Sequence, residues 1–298
     1  MTHILHFIGA ALGCGTKKPE TLEGPEALYH TPFLKQLNNL GYVTSWEDTI
    51  VEHNPNKIQA GTLESLSVVH DFNHRLAHTV DDSLEQSAFP IVIGGDHSVA
   101  IGTWSGVIHH LNAEGEFGLI WLDAHMDSHT PQTTPSNCIH GMPLATLLGH
   151  GEEELTHLIS PKAKLNPKHV VLIGVRSFEE GEQKLLENLN VRIMFQKEVH
   201  QRGFQACFDE ALEIAQKGTK GFGVTLDLDM FDPRFAPGVG VPETDGALPT
   251  ETLPALQGLI QNPNFKAFEV VELNPTLDRD DITLTLLQDI IASVLQKS

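Results

Sequence analysis

Short apolar runs recur along the chain and alternate with stretches that carry apolar residues at helical spacing. The runs are apolar at nearly every position, which is typical of parallel strands buried on both faces. They cover residues 3–8, 89–93, 117–122, 169–175, 222–228 and 267–273. The helical stretches cover residues 62–76, 99–111, 182–189, 204–215 and 253–260. This alternation predicts an α/β fold with a parallel sheet covered by helices on both faces.

The sequence favours a single domain over residues 1–298. It contains no low-complexity segment, no fixed-period repeat and no Pro/Gly/Ser-rich linker that would divide it. A chain of 298 residues is long enough to bury a large core in one such domain.

Several features favour a cytoplasmic protein. No run approaches the ~20 uninterrupted apolar residues that a membrane helix needs, so we expect no membrane partner. The first residues, MTHILHFIGAALGCG, lack the basic segment of a signal peptide and begin as a strand. Cys14, Cys138 and Cys207 are few, odd in number and far apart, which argues against a disulfide framework.

The acidic composition excludes one class of partner. The formal net charge is −20, whereas phosphate binding needs clustered Lys and Arg, so we expect no nucleic-acid partner. A surface of this sign attracts a cationic small molecule.

Polar side chains follow three of the predicted strands, at the point where each strand ends. The segments are FPIVIGGDHSVA, GLIWLDAHMD and GFGVTLDLDMFDP. In open parallel sheets, ligands bind outside the carboxyl ends of the strands, so residues that follow different strands converge. In the second segment, Asp123, His125 and Asp127 would share one face if the strand geometry continued. The candidate metal ligands are therefore His97, Asp123, His125, Asp127, Asp227 and Asp229.

Each segment alone has a simpler interpretation. A His after Gly-Gly-Asp is commonly a loop residue, and an Asp pair at a strand end is commonly a turn or a helix N-cap. Together, however, so many carboxylates would repel each other and resist burial without a cation. His and carboxylate ligands without Cys favour a borderline or hard divalent ion over a structural zinc site. The number of carboxylates favours two ions roughly 3.5–4 Å apart with a bridging hydroxide.

The same motifs carry a family resemblance. GGDHS, DAHMD and LDLDMFDPRFAPG resemble, in this order, the metal motifs of the ureohydrolases, which include arginases, agmatinases and formimidoylglutamases. The resemblance extends from FIGAALGCG to VVELNP, nearly the whole chain. It implies a three-layer α/β/α fold with a parallel central sheet, a pair of Mn²⁺ ions and a homo-oligomer, either a trimer or a hexamer. The same donors would also accept Co²⁺ or Fe²⁺.

By motif position, the resemblance divides the ligands between two ions. One ion would take His97, Asp123, Asp127 and Asp227, and the other would take Asp123, His125, Asp227 and Asp229. Asp123 and Asp227 would bridge them. A metal-free relative with a regulatory or assembly role would be expected to lack ligands, and all of them are present here. We therefore expect an enzyme, a metal-dependent hydrolase acting on linear amidines.

The loop after the second metal motif, TTPSNCIHGMPLATLLG, is similar to that of bacterial-type arginases. The resemblance implies that Thr134 and Ser136, with His129, bind an α-carboxylate and that His140 transfers a proton. Asp127 would orient the attacking hydroxide. As an alternative, a loop rich in Ser, Thr and Pro could be only a solvated connection.

Two further segments resemble those of arginases. LIGVRSFEEGE places Glu179 and Glu182 where an acidic pair addresses the substrate amine, with Glu179 in place of the usual Asp. VVELNPTLD places Glu272 where a carboxylate pairs with the guanidinium, although such a Glu could also cap the Asn-Pro turn. A carboxylate and a guanidinium form a bidentate pair, which would aim the central carbon at the hydroxide.

The expected reaction is hydrolysis of L-arginine to L-ornithine and urea. The alternative is a related reaction on another guanidino or formimino compound, such as agmatine, formimidoylglutamate or a guanidino acid. Three residues depart from the arginase pattern, since His129 and Cys138 each replace Asn and Val241 replaces Thr. None is a metal ligand, so the departures bear on the substrate and not on hydrolysis.

Overall fold

The apolar runs pair side by side into one sheet. The computed structural model describes residues 4–54 and 56–296. The strands in these residues are β1 Ile4–Ala11, β2 Val43–Val51, β3 Phe89–Gly94, β4 Gly118–Leu122, β5 Val170–Val175, β6 Arg192–Phe195, β7 Phe222–Asp227 and β8 Phe265–Val271. Their order in the sheet is β2-β1-β3-β8-β7-β4-β5-β6, and every neighbouring pair is parallel.

All of the predicted strands are present, and their ends shift by a few residues. The first, predicted over residues 3–8, continues to Ala11, and residue 3 lies outside the described part of the chain. The apolar pattern misses the two edge strands, β2 and β6. β2 mixes exposed and buried residues along VTSWEDTIV, and β6 has only four residues. Neither therefore has the long apolar run of a strand buried on both faces.

Helices cover both faces of the sheet and complete the expected three-layer α/β/α architecture. They are α1 Gly24–Tyr29, α2 Phe33–Asn39, α3 Leu66–Glu85, α4 Ala100–Leu111, α5 Pro143–Leu147, α6 Glu153–Thr156, α7 Glu180–Asn188, α8 Gln196–Arg202, α9 Phe204–Gln216, α10 Pro249–Leu256 and α11 Ile282–Leu295. The helix predicted over residues 253–260 ends at Leu256 instead, because Gly258 adopts a left-handed φ of 71°. None of the helices in the described ranges has the length and apolarity needed to cross a bilayer.

The two faces of the sheet carry separate apolar cores. In β3, Ile91 and Ile93 pack into the core formed with α9, α10 and α11, whereas Val92 packs into the core formed with α3 and α4. In β4, Trp121 lies on the same side as Val92. All four side chains are fully buried. Burial on both faces explains why these strands are continuously apolar in sequence.

Four neighbouring strands in the middle of the sheet end beside one another. β3, β8, β7 and β4 are consecutive in the sheet, and each is followed directly by candidate site residues. The turn after β3 requires glycine, because a Cβ atom on Gly95 would lie 2.0 Å from the carbonyl oxygen of Leu12. The carboxyl end of the sheet therefore brings together segments that are far apart in sequence, as predicted.

Candidate active site

The segment after β4 does not continue as a strand. β4 ends just before Asp123, and Asp127 adopts a left-handed conformation with a φ of 47°. The strand geometry therefore does not continue, and strand alternation does not align Asp123, His125 and Asp127. A turn brings them into place instead, so that Asp123 and Asp127 face His97 and His125 faces Asp229.

His97 lies at the centre of a buried carboxylate cluster. Its Nδ1 atom is 3.0 Å from Oδ2 of Asp127, 3.1 Å from Oδ2 of Asp123 and 3.3 Å from Oδ2 of Asp227. Despite these distances, Nδ1 is buried and forms no hydrogen bond within the described residues. Predicted residues at the carboxyl ends of β3, β4 and β7 thus meet at one nitrogen atom.

A hydrogen-bonded chain behind His97 fixes its tautomer. The hydroxyl of Thr225 donates to Oε1 of Glu269 (2.7 Å), so it accepts from the Nε2–H of His97 (3.0 Å). In the neutral imidazole, Nδ1 then carries the lone pair, which faces the three carboxylates. Such an arrangement is repulsive unless a cation lies between the nitrogen and the oxygens. Trp121 stacks on His97 with ring centroids 4.3 Å apart, and it donates to Oδ2 of Asp123 (2.8 Å).

A second cluster lies beside the first and shares Asp123 with it. Nδ1 of His125 is 3.0 Å from Oδ2 of Asp229 and 3.5 Å from Oδ1 of Asp123. In each cluster the ligand atoms lie within 4.8 Å of one another, and the two sets are His97, Asp123 and Asp227, and Asp123, His125 and Asp229. Asp123 therefore lies between the two clusters. Asp227, the other expected bridge, has its ligand atom within 4.8 Å of the other donors only in the cluster around His97.

The strand-end carboxylates also act as backbone caps. Oδ1 of Asp227 accepts from the N–H of Asp229 (2.8 Å), and Oδ1 of Asp229 accepts from the N–H of Ala124 (3.2 Å). In both residues Oδ2 is the oxygen that faces an imidazole. The capping interpretation and the ligand interpretation of these Asp residues are thus compatible, because each uses a different oxygen.

Burial and mutual repulsion make negative charge on the clustered carboxylates costly. Burial first, and then Asp229 and Asp123, hold the pKa of Asp227 well above its usual range. Burial likewise raises the pKa of Asp127, and it raises that of Asp229 to about 6. Asp123 is also buried, yet the adjacent imidazoles of His125 and His97 lower its pKa. Divalent cations would offset this charge, and imidazole nitrogens with carboxylate oxygens are a donor set that fits such ions.

A cavity of about 310 Å³ opens over the two clusters. His140 and Glu272 line it, with Nδ1 and Oε1 3.0 Å apart. Oε1 of Glu272 also accepts from the N–H of His97 (3.1 Å), so this carboxylate caps the turn after β3 rather than the Asn-Pro turn. Its Oε2 is buried and has no hydrogen bond to any residue that the structure describes. A carboxylate oxygen without a partner, beside a cavity, is suited to a guanidinium N–H.

The loop after the second motif reaches the cavity through Ser136 and not through Thr134. Ser136 lines the cavity. Thr134 is absent from the described residues that line it. Its Oγ1 lies 3.3 Å from Oγ of Ser136 and accepts from the N–H of Asn137 (3.0 Å). Thr134 therefore supports Ser136 and does not face the cavity.

Glu179 and Glu182 line the cavity at the start of α7, where each caps the backbone of the other. Nε2 of His129 lies 2.8 Å from Oε2 of Glu179 and 3.5 Å from Oε1 of Glu182. Burial, together with the nearby charges of Asp127 and Glu179, raises the pKa of Glu182 to about 8. The groups expected to hold the amine and the carboxylate of an amino acid thus contact each other.

Two lysines that sequence reasoning missed also line the cavity. Lys17 and Lys18 lie in GTKKP, shortly after the end of β1, and Lys18 donates to the carbonyl of Gly240. The available signal was the strand itself, because residues that follow any central parallel strand can reach the carboxyl end of the sheet. Two cations among these acids suit a substrate that carries a carboxylate.

The profile of the Arginase family matches residues 4–296, almost the whole chain. The chain belongs to the arginase family. An arginase from Bacillus caldovelox is 36% identical over 293 residues, which are 97% of each chain. The structure of an arginase from Bacillus cereus superposes with a TM-score of 0.91 at 32% identity, and the match covers 100% of this chain and 99% of that one. An arginase from Entamoeba histolytica, solved in complex with L-ornithine, gives a TM-score of 0.89 at 28% identity over 99% and 98% of the two chains.

This member of the arginase family differs from the arginase pattern in three residues around its cavity. His129, Cys138 and Val241 all line it. The thiol of Cys138 is free, and a hydrogen bond with His140 helps to lower its pKa despite burial. The departures therefore lie where a substrate would be recognised, outside the two His–Asp clusters.

Proposed function

We propose that this protein is a manganese-dependent arginase that hydrolyses L-arginine to L-ornithine and urea. It would act in the cytoplasm as a homo-oligomer, a trimer or a hexamer, without a nucleic-acid or membrane partner. The names of its relatives support this reaction, as does the L-ornithine bound to the Entamoeba histolytica enzyme. The net charge of −20 would favour the approach of a cationic guanidino substrate.

The observation that carries the proposal is the pair of His–carboxylate clusters that share Asp123 beside a cavity containing Glu272. We assign one ion to His97, Asp123, Asp127 and Asp227, and the other to Asp123, His125, Asp227 and Asp229. These donors suit Mn²⁺, with Co²⁺ or Fe²⁺ as substitutes. When bound, the two ions would supply a water molecule activated for attack at neutral pH.

The residues around the clusters would orient the reactants and move the proton. Oε2 of Glu272, which lacks a partner among the described residues, would accept an N–H of the guanidinium and hold its central carbon toward the clusters. Asp127 would accept a hydrogen bond from the attacking water. His140 would give a proton to the departing amine, and its 3.0 Å contact with Glu272 would hold the imidazole in position.

Recognition of the amino-acid end would use groups farther from the clusters. Ser136, supported by Thr134, would donate to the α-carboxylate together with His129. Glu179 and Glu182 would accept from the α-ammonium. These groups would distinguish arginine from agmatine, which lacks the carboxylate. Binding of agmatine would leave the polar groups that face the carboxylate without partners, and this disfavours agmatine.

The contact between His129 and Glu179 favours the alternative function, in which the substrate is a guanidino compound without an α-amine. At 2.8 Å these side chains satisfy each other, and they would have to separate to bind the two charged groups of arginine. A compound with a guanidinium and a carboxylate alone would bind its carboxylate through Ser136 and leave the pair intact.

Urea release from L-arginine, agmatine and a guanidino acid without an α-amine, each with Mn²⁺, separates the two functions. For an arginase we expect kcat/KM on arginine to exceed that on agmatine by at least ~10²-fold, or about 2.7 kcal/mol. A higher kcat/KM on the guanidino acid or on agmatine would overturn the arginase assignment and leave the metal-dependent hydrolase.

Two variants locate the discrimination. His129→Asn keeps a hydrogen-bond donor and removes the pairing with Glu179, so it should lower KM for arginine more than for the guanidino acid. Ser136→Ala should raise KM for arginine and barely change KM for agmatine. Equal changes for all substrates would show that these residues do not contact the amino-acid end.

A further inference from the structure

Outside the candidate active site, α3 carries a row of histidines on one side. His70, His74 and His78 recur every four residues and therefore project from the same face of the helix. His74 and His78 are exposed, and the side chain of His70 is 33% exposed. We call these three residues the histidine row.

The rings of the histidine row lie next to one another along the helix. The ring centroids of His74 and His78 are 4.7 Å apart, and those of His70 and His74 are 6.2 Å apart. Two histidines four residues apart on a helix are the arrangement with which H-E-x-x-H helices bind zinc. His74 belongs to both pairs, so it is the residue on which any shared ligand would depend most.

One neighbour of the row orients the ring of His70, and the other histidines help to lower the pKa of His74. Oδ1 of Asp71 lies 3.0 Å from Nδ1 of His70, a contact that orients the ring and leaves Nε2 for a metal. Burial, and then the nearby His78 and His70, lower the pKa of His74. The neutral imidazole is the form that binds a metal.

The surface beside His70 and His74 has room for an ion and its waters. A cavity of about 610 Å³ is lined by His70 and His74 together with His53. Arg75 also lines it, but its guanidinium donates to the carbonyl of Val51 (2.9 Å). The guanidinium of Arg75, the positively charged side chain nearest in sequence to the row, is thus paired with a backbone carbonyl.

We propose that the histidine row is a surface binding site for a borderline divalent cation, namely Ni²⁺, Cu²⁺ or Zn²⁺. The ion is held by imidazoles on successive helical turns, chiefly those of His74 and His78, with water in its remaining positions. Imidazole ligands suit these ions, whereas carboxylate and water ligands suit Mn²⁺. The row shares no residue with the two His–Asp clusters. Because its ligands are imidazoles without carboxylates, it binds a different class of metal from the candidate active site.

Retention of the untagged, Mn²⁺-loaded full chain on a resin that carries chelated Ni²⁺ tests the proposal. The resin-bound ion keeps neighbouring coordination positions free for exposed histidines and cannot enter the buried clusters. We expect the wild type to be retained and to elute in an imidazole gradient. His74→Ala breaks both pairs and should weaken binding by about 10²-fold, as loss of two-point attachment does. His78→Ala should elute earlier than His70→Ala, because it removes the closer pair.

His157→Ala is the matched control, because His157 is an exposed histidine outside the row. It should be retained like the wild type. Because alanine favours helix, His74→Ala should leave the fold intact. Urea release equal to that of the wild type would show this. Passage of the wild type through the resin without retention, or undiminished retention of His74→Ala, would overturn the proposal.

Discussion

Replacing Thr225 with valine tests whether the residues behind His97 prepare it for a metal. Valine keeps the approximate volume of Thr225 and removes the hydroxyl that joins Nε2 of His97 to Oε1 of Glu269. Thr225 is fully buried within β7, so water has no access to replace that hydroxyl. His97 and Glu269 would each lose a hydrogen bond.

The structure sets the size of the effect. A buried polar group left without a partner costs about 1–3 kcal/mol, so two such groups predict a loss of about 2–6 kcal/mol in the free energy of unfolding of the metal-free protein. The ring of His97 would also lose the contact that fixes Nδ1 toward the carboxylates. Loss of such a contact weakens metal affinity by about 10–100-fold.

Denaturant unfolding in EDTA measures the stability, and titration of the metal-free protein with Mn²⁺ measures the affinity. Thr252→Val is the matched control, since Thr252 is equally buried but its hydroxyl forms no hydrogen bond in residues 4–54 and 56–296. This control should leave metal affinity unchanged and the free energy of unfolding equal or higher. If the two variants were equally stable and Thr225→Val bound Mn²⁺ like the wild type, the role of the hydrogen-bonded chain from His97 through Thr225 to Glu269 would be refuted.

Three further predictions concern the candidate active site. Metal analysis should find that Asp123→Ala loses both ions, because Asp123 faces both clusters, and that His97→Ala loses mainly one. Full metal occupancy in Asp123→Ala would contradict the position of Asp123 between the two clusters. His140→Asn should lower kcat far more than metal content, whereas equal loss of both would give His140 a structural role. Burial and nearby charge raise the pKa of Glu182 to about 8, so its carboxylate can pair with an ammonium only as the pH rises through that pKa. KM for arginine should therefore fall with rising pH. The midpoint should lie below 8, because bound ions would offset the charge of Asp127 that helps to raise the pKa of Glu182. If Glu182→Gln showed the same KM–pH profile as the wild type, the Glu182 carboxylate would be excluded as the titrating group.

The meeting of the candidate ligands could be predicted because two simple rules coincide. Continuous apolar runs indicate parallel strands buried on both faces, and the carboxyl ends of such strands lie together. His97, Asp123 and Asp227 lie at the ends of three such runs, and the structure places their ligand atoms within 4.8 Å of one another. The turn geometry that achieves this, with Asp127 in a left-handed conformation, has no counterpart in the strand pattern.

Other features depend on which strands and loops become neighbours, and no local pattern records that. Thr225 and Glu269 look like single polar residues inside apolar strands, and their roles emerge only because β7 and β8 pair them directly. The contact of His129 with Glu179 depends in the same way on the packing of the loop after β4 against the start of α7. Single polar residues in a buried strand are therefore worth treating as candidate supports for a neighbouring site.

The position of β8 in the sheet determines when during biosynthesis the centre can form. β8 lies between β3, which leads to His97, and β7, which ends at Asp227, and it pairs with both. It is also the last of the described strands to leave the ribosome, so β3 and β7 have nothing to join them until translation has passed residue 271. A nascent chain that stops short of β8 already contains every proposed metal ligand. It lacks the strand that joins His97 to the ligands of β4 and β7, which pair with each other directly. We therefore expect the ion assigned to His97 to bind only after β8 has been synthesised.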